Sequence, residues 1–86
     1  MWTLVSFVKV SKNRKKIVME LMKRPHFPSD LVKKLNLPFP VVSKNLRYLK
    51  ERGIVFCYNP NQKRGKLFSI TEIGNQIVTL LIEMRE

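Results

Sequence analysis

The side chains best placed to do chemistry in this sequence are cations and hydroxyls. Between Pro40 and Arg52, Val42, Leu46 and Leu49 recur at i, i+4 and i+7. At about 100° per residue they form one apolar stripe of a helix. The opposite side carries Pro40, Lys44, Arg47 and Glu51, with Val41, Ser43 and Tyr48 on the shoulders. Lys and Arg donate to guanine O6 and N7, and Val can touch a thymine methyl. Ser43 and Tyr48 can donate to phosphates. A charged face opposite an apolar stripe is also the ordinary surface of a solvated helix. A second basic set, Lys63, Arg64 and Lys66, lies in the turn-forming stretch Asn59 to Lys66. An Arg on such a tip suits a narrow minor groove, where the negative potential is enhanced. A polar hairpin turn that uses Lys to discourage edge pairing would look the same.

Other chemistries find little support. One cysteine, Cys57, and one histidine, His26, do not make an ordinary N/S metal site within one chain. Cys57 cannot form an intrachain disulfide and reads as a buried structural thiol. His26, in a His-Phe-Pro connector, reads as a solvated loop residue. No Gly-rich phosphate loop, nucleophile–base pair or carboxylate cluster is present, so no enzyme activity, cofactor or small-molecule substrate is expected.

Net charge narrows the partner. Seventeen Lys and Arg against six Asp and Glu leave +11 on 86 residues. That excess repels itself in a compact state and favours polyanions such as nucleic acid. The N-terminus is apolar but short, without a basic lead or a small-residue cleavage site, and no run reaches the roughly 20 apolar residues of a membrane span. These features point to a cytoplasmic chain that folds as a single domain over 1–86, without a separate domain for a small effector.

Caps, stops and apolar spacing define the elements that must hold the basic sets. Trp2 to Val10 is rich in β-branched residues but fits helical spacing, and a short helix is expected. Ser11 caps a helix with Ile17, Val18, Leu21 and Met22 in its apolar stripe, and Pro25 stops it. Ser29 is the expected cap of the next helix, which carries Leu31, Val32 and Leu35 and ends at a left-handed Asn36. After Pro38, the helix bearing the first basic set starts near Phe39 or Pro40 and stops at Gly53. Ile54 to Tyr58 and Leu67 to Ile70 are strand candidates flanking the basic turn. Thr71 caps a last helix rich in Ile, Val and Leu.

Pro28 to Leu35, Val42 to Val55 and Arg64 to Gly74 together resemble the winged helix-turn-helix of prokaryotic transcription regulators, notably ArsR/MarR-like proteins of archaea. The resemblance implies a mainly α fold with a small β-hairpin and a sequence-specific double-stranded DNA-binding regulator. It places Pro40, Val41, Ser43, Lys44 and Arg47 at DNA-facing positions of the second helix and Arg64 at the wing tip. Phe39-Pro40 departs from the family pattern, in which a polar residue is common at the helix start. Two alternatives stand beside it: a general chromatin or RNA binder, and a protein–protein module of the transcription or replication machinery. The terminal helix, with Ile77, Leu81 and Met84 in a broad apolar face, is expected to pair, together with Trp2, Leu4 and Phe7, with its copy across the two-fold axis of a homodimer. Glu72, Glu83 and Glu86 make that end less cationic.

Overall fold

Packing, not propensity, decides the first element. The computed structural model describes residues 1–84, so Glu86 lies outside the described residues. In it the β-branched N-terminal segment is a helix, α1 (Trp2–Lys9), because Val5 and Val8, three residues apart, both close onto the core. Trp2 stays outside, 62% exposed. Ser11 then caps α2 (Lys12–Lys23), its hydroxyl accepting from the Arg14 amide at 3.2 Å. Ile17, Val18 and Leu21 are buried; Met22, expected in the same stripe, is exposed.

The third helix begins earlier than its sequence suggests. In α3 (Pro28–Leu35) the N-cap is Phe27, and Ser29 sits inside the first turn. Pro28 takes the first helical position, where a missing N–H costs nothing. Asp30 reaches back and accepts from the Phe27 amide at 3.2 Å. Asn36 ends the helix in the left-handed region, at φ 55° and ψ 49°. The chain then turns into α4 (Phe39–Glu51), with Pro38 as N-cap and Pro40 in the first turn. Gly53, at φ 74°, supplies the left-handed stop beyond the C-cap Arg52.

The hairpin consists of β1 (Val55–Cys57) and β2 (Phe68–Ile70), antiparallel, with Val55 opposite Ile70, Phe56 opposite Ser69 and Cys57 opposite Phe68. Both strands are shorter than the sequence runs suggest. The Ile54 amide closes the end of α4 by donating to the Leu49 carbonyl at 3.0 Å, and one further bond at each end extends the pairing: Tyr58 N–H to Leu67 O at 2.9 Å and Thr71 N–H to Ile54 O at 3.1 Å. On its other side β2 meets His26. The His26 amide donates to the Phe68 carbonyl at 2.9 Å, and the Phe68 amide returns the bond at 3.0 Å. His26 is therefore not a solvated loop residue; it is 1% exposed. Its Nδ1 lies 2.8 Å from the Arg24 carbonyl. A carbonyl only accepts, so Nδ1 is the donor of this bond.

Thr71 caps α5 (Glu72–Glu83): its hydroxyl accepts from the Gly74 amide at 3.0 Å and donates to the Gly53 carbonyl at 2.7 Å. That ties the start of α5 to the end of α4. Gly74 lets α5 lie directly on the hairpin base, since a Cβ there would collide with the Ile54 carbonyl and the Ile70 side chain. All seven elements feed one core, from Val5 and Val8 of α1 to Ile77 and Val78 of α5.

Candidate nucleic-acid interface

The basic face of α4 follows from its buried one. Val42, Leu46 and Leu49 are closed into the core with Asn45, whose amide donates to the Val41 carbonyl at 2.9 Å. This leaves Pro40, Ser43, Lys44, Arg47 and Lys50 exposed, with Val41 and Tyr48 half-buried on the shoulders. Arg47 leans over the neighbouring Tyr48 ring, its guanidinium carbon 5.4 Å from the centroid.

The wing is held by one side chain. Asn59 Nδ2 donates to the Gly65 carbonyl at 2.9 Å and to Gln62 Oε1 at 3.2 Å, and Asn59 Oδ1 accepts from the Leu67 amide at 2.8 Å. A polar loop that would otherwise be loose is thus stapled across its base, with Gly65 at φ 66° making its return turn. Cys57 is half-buried beside this staple, its Sγ 3.5 Å from Asn59 Oδ1.

Helix and wing share one hollow of about 550 Å³. One wall is Ser43, Arg47 and Lys50 of α4; the other is Lys63, Arg64 and Lys66 of the wing. Five cations line it with no carboxylate among the lining residues. Such a concave surface of one sign focuses potential and draws in a polyanion. Its floor is apolar, with Phe27 and Phe39 both exposed.

Of the expected DNA-facing residues, Ser43, Arg47, Lys63, Arg64 and Lys66 come together here. Pro40, Val41, Lys44 and Tyr48 lie on α4 outside the hollow. Lys50, Phe27, Ser29 and Phe39 join it without having been singled out. The signal for Lys50 was available: Ser43, Arg47 and Lys50 repeat at i, i+4 and i+7, so they share one helical face. The structure turns that face, rather than the diametric one, toward the wing.

The expected dimer residues divide. Ile77 is fully buried in the chain's own core and offers nothing to a partner. Phe7 is engaged by two cations of its own chain: the Arg14 and Arg52 guanidinium carbons lie 3.8 and 3.9 Å from its ring centroid. The ring itself is half-buried. Trp2 and Met84 are exposed, and Leu4 and Leu81 half-buried.

Among the described residues, no three His, Cys, Asp or Glu side chains gather as a metal site. No helix of the described residues is long and apolar enough to cross a membrane.

Comparison with known proteins agrees with this geometry. No curated protein matches in sequence. Among solved structures, the adhesin competence repressor AdcR of Streptococcus pyogenes superposes with a TM-score of 0.76 at 21% identity, over 86% of this chain and 56% of that one. Lactococcus lactis ZitR gives 0.75 at 22% identity, over 85% and 51%. HlyU of Vibrio cholerae gives 0.74 at 16% identity, over 96% of this chain and 94% of that one. The chain thus spans little more than half the length of AdcR and ZitR. At these identities the likeness is one of fold, and that fold is the winged helix-turn-helix. The model of bacterial regulatory proteins of the arsR family matches residues 11–55, from the cap of α2 to the first wing strand. On that match, the chain belongs to the arsR family of bacterial regulatory proteins.

Proposed function

We propose that the chain binds double-stranded DNA sequence-specifically, with α4 in the major groove and the wing on the minor groove or the adjoining backbone. The observation that carries this reading is the shared hollow, in which Arg47 and Lys50 face Lys63, Arg64 and Lys66 without an intervening acid. Arg47 and Lys44 read base edges, Val41 and Pro40 supply apolar contact near the start of α4, and Ser43 and Tyr48 hold phosphates. The reading is of a binding protein, acting in the cytoplasm, and not of an enzyme.

Regulators of this shape read two half-sites when they pair. A homodimer would use exposed Trp2 of α1 and exposed Ile73 of α5, with Leu4 and Leu80 half-buried beside them. It would set two copies of α4 roughly 34 Å apart, one DNA turn, and call for a palindromic site. A monomer in sedimentation at about ten micromolar, with a single half-site bound, would remove the dimer and leave the DNA reading in place.

The experiment for the reading as a whole is selection of bound duplexes from random DNA against a scrambled competitor. A recovered motif is expected. Enrichment without any motif would point instead to a general nucleic-acid binder driven by the +11 charge.

A further inference from the structure

A second hollow, of about 540 Å³, lies between α2, the ends of α1 and α3, and the C-terminal end of α5. Its floor is apolar: Met19, Leu35, Leu81, Ile82 and Met84. Its rim carries four lysines, Lys9, Lys15, Lys16 and Lys23, with one acid, Glu20. Glu20 is already engaged, 3.2 Å from Lys23 and 3.9 Å from Lys34. Among the described residues, Lys9, Lys15 and Lys16 have no carboxylate within ion-pair distance. Met19, Ile82 and Met84 are each at least 39% exposed, so the floor faces water when nothing covers it.

We infer that this hollow is a binding site for an amphipathic monoanion, a medium-chain carboxylate. The size lies within the range of small-ligand pockets, which combine apolar walls with a few polar groups that orient the ligand. An alkyl chain covers the methionines, Leu81 and Ile82, and its carboxylate meets Lys9, Lys15 or Lys16 at the rim. A second copy of the chain fits less well. A two-fold contact centred here would set the lysines of one copy against the same lysines of the other, and like charges in contact oppose association. Met19 and Met84 bring unbranched, adaptable side chains, which suit a flexible chain better than a rigid ring.

The site is also placed to matter. α2 bears the hollow on one side and packs on α4 and β2 with others. It is thus the element that joins this hollow to the helix of the basic groove, a relation to DNA that rests on the DNA-binding reading, whereas the site itself does not.

The test is calorimetric titration of the full chain with decanoate, below its micelle concentration and without DNA. Saturable binding of one decanoate per chain is expected. Each methylene removed should weaken it by about two- to fourfold, and decyltrimethylammonium should not bind. Lys9→Ala and Lys16→Ala, both exposed, should each weaken decanoate by about two- to fivefold. Ile82→Glu, also exposed, should abolish binding while leaving the circular dichroism spectrum intact. Absence of saturable binding overturns the proposal, as does equal binding of the cationic amphiphile. It also fails if Lys16→Glu and Ile82→Glu turn a dimer into a monomer, which would make the hollow an interface between copies. None of these readouts uses DNA, so failure of the DNA reading would not imitate failure here.

Discussion

The two basic hollows of this molecule are nearly equal in volume, about 550 and 540 Å³, yet they are built for different partners. The groove between α4 and the wing sets cations from two elements on opposing walls. One of those walls is a loop whose backbone is stapled by Asn59. The hollow between α2 and α5 has flexible lysines around methionines and aliphatic side chains. Charge alone does not distinguish them. Arrangement does: cations on two facing elements suit a backbone of repeating phosphates, whereas a basic rim on an apolar floor suits one charge with a tail.

Breaking the platform under the wing should have the largest effect. Gly74→Ala drives a Cβ into the Ile54 carbonyl and the Ile70 side chain. It is expected to cost about 3 kcal/mol of stability, read by urea denaturation, with loss of the basic groove and the α5 wall together. An unchanged midpoint would mean that α5 does not press on the hairpin as described. Next, Arg47→Ala should cost roughly 1–3 kcal/mol of DNA affinity and relax preference at one base position, read by competition with singly substituted duplexes. Unaltered preference would remove α4 from base readout.

Asn59→Ala separates rigid walls from charge, because it removes the staple and no cation. A loss of about 1 kcal/mol in stability is expected, together with weaker DNA binding and an unchanged salt slope. If DNA affinity holds, the ordered wing is irrelevant to the groove. Arg64→Ala and Lys50→Ala do the reverse. Each should lower the slope of log affinity against log salt by about one, with little effect on sequence preference. The smallest expected effect is none: Zn²⁺ or a thiol reductant should leave DNA affinity unchanged, since Cys57 has no second thiol in the chain. A clear shift would mean that Cys57 acts between subunits.

Local chemistry was legible in the residues, and long-range pairing was not. Ser11 and Thr71 cap as their types suggest, Asn36 takes the left-handed position, and the Val42–Leu46–Leu49 stripe is the buried face of α4. His26 looked solvated because Pro25 and Pro28 flank it. Its burial comes from backbone pairing with Phe68, a partner 42 residues away (26 to 68) that no local pattern reveals. Ser29 looked like a cap, but Pro28 fits the first helical position and moves the cap to Phe27. The apolar pattern marks Ile77 as interface without showing that the core already covers it. The hollow over Met19 and Ile82 needed α2 and α5 side by side before it existed at all.

The central claim is that α4 and the wing bind DNA as one surface, on which α4 reads the sequence and the wing adds affinity. Its most direct test is the ratio of affinities for the selected duplex and for a scrambled one, measured at about 150 mM salt. A ratio of about 10³ or more is expected of specific recognition, and it should fall for Arg47→Ala but persist for Arg64→Ala. A ratio near one in the wild-type chain would contradict the account, leaving a basic groove that holds nucleic acid without reading it.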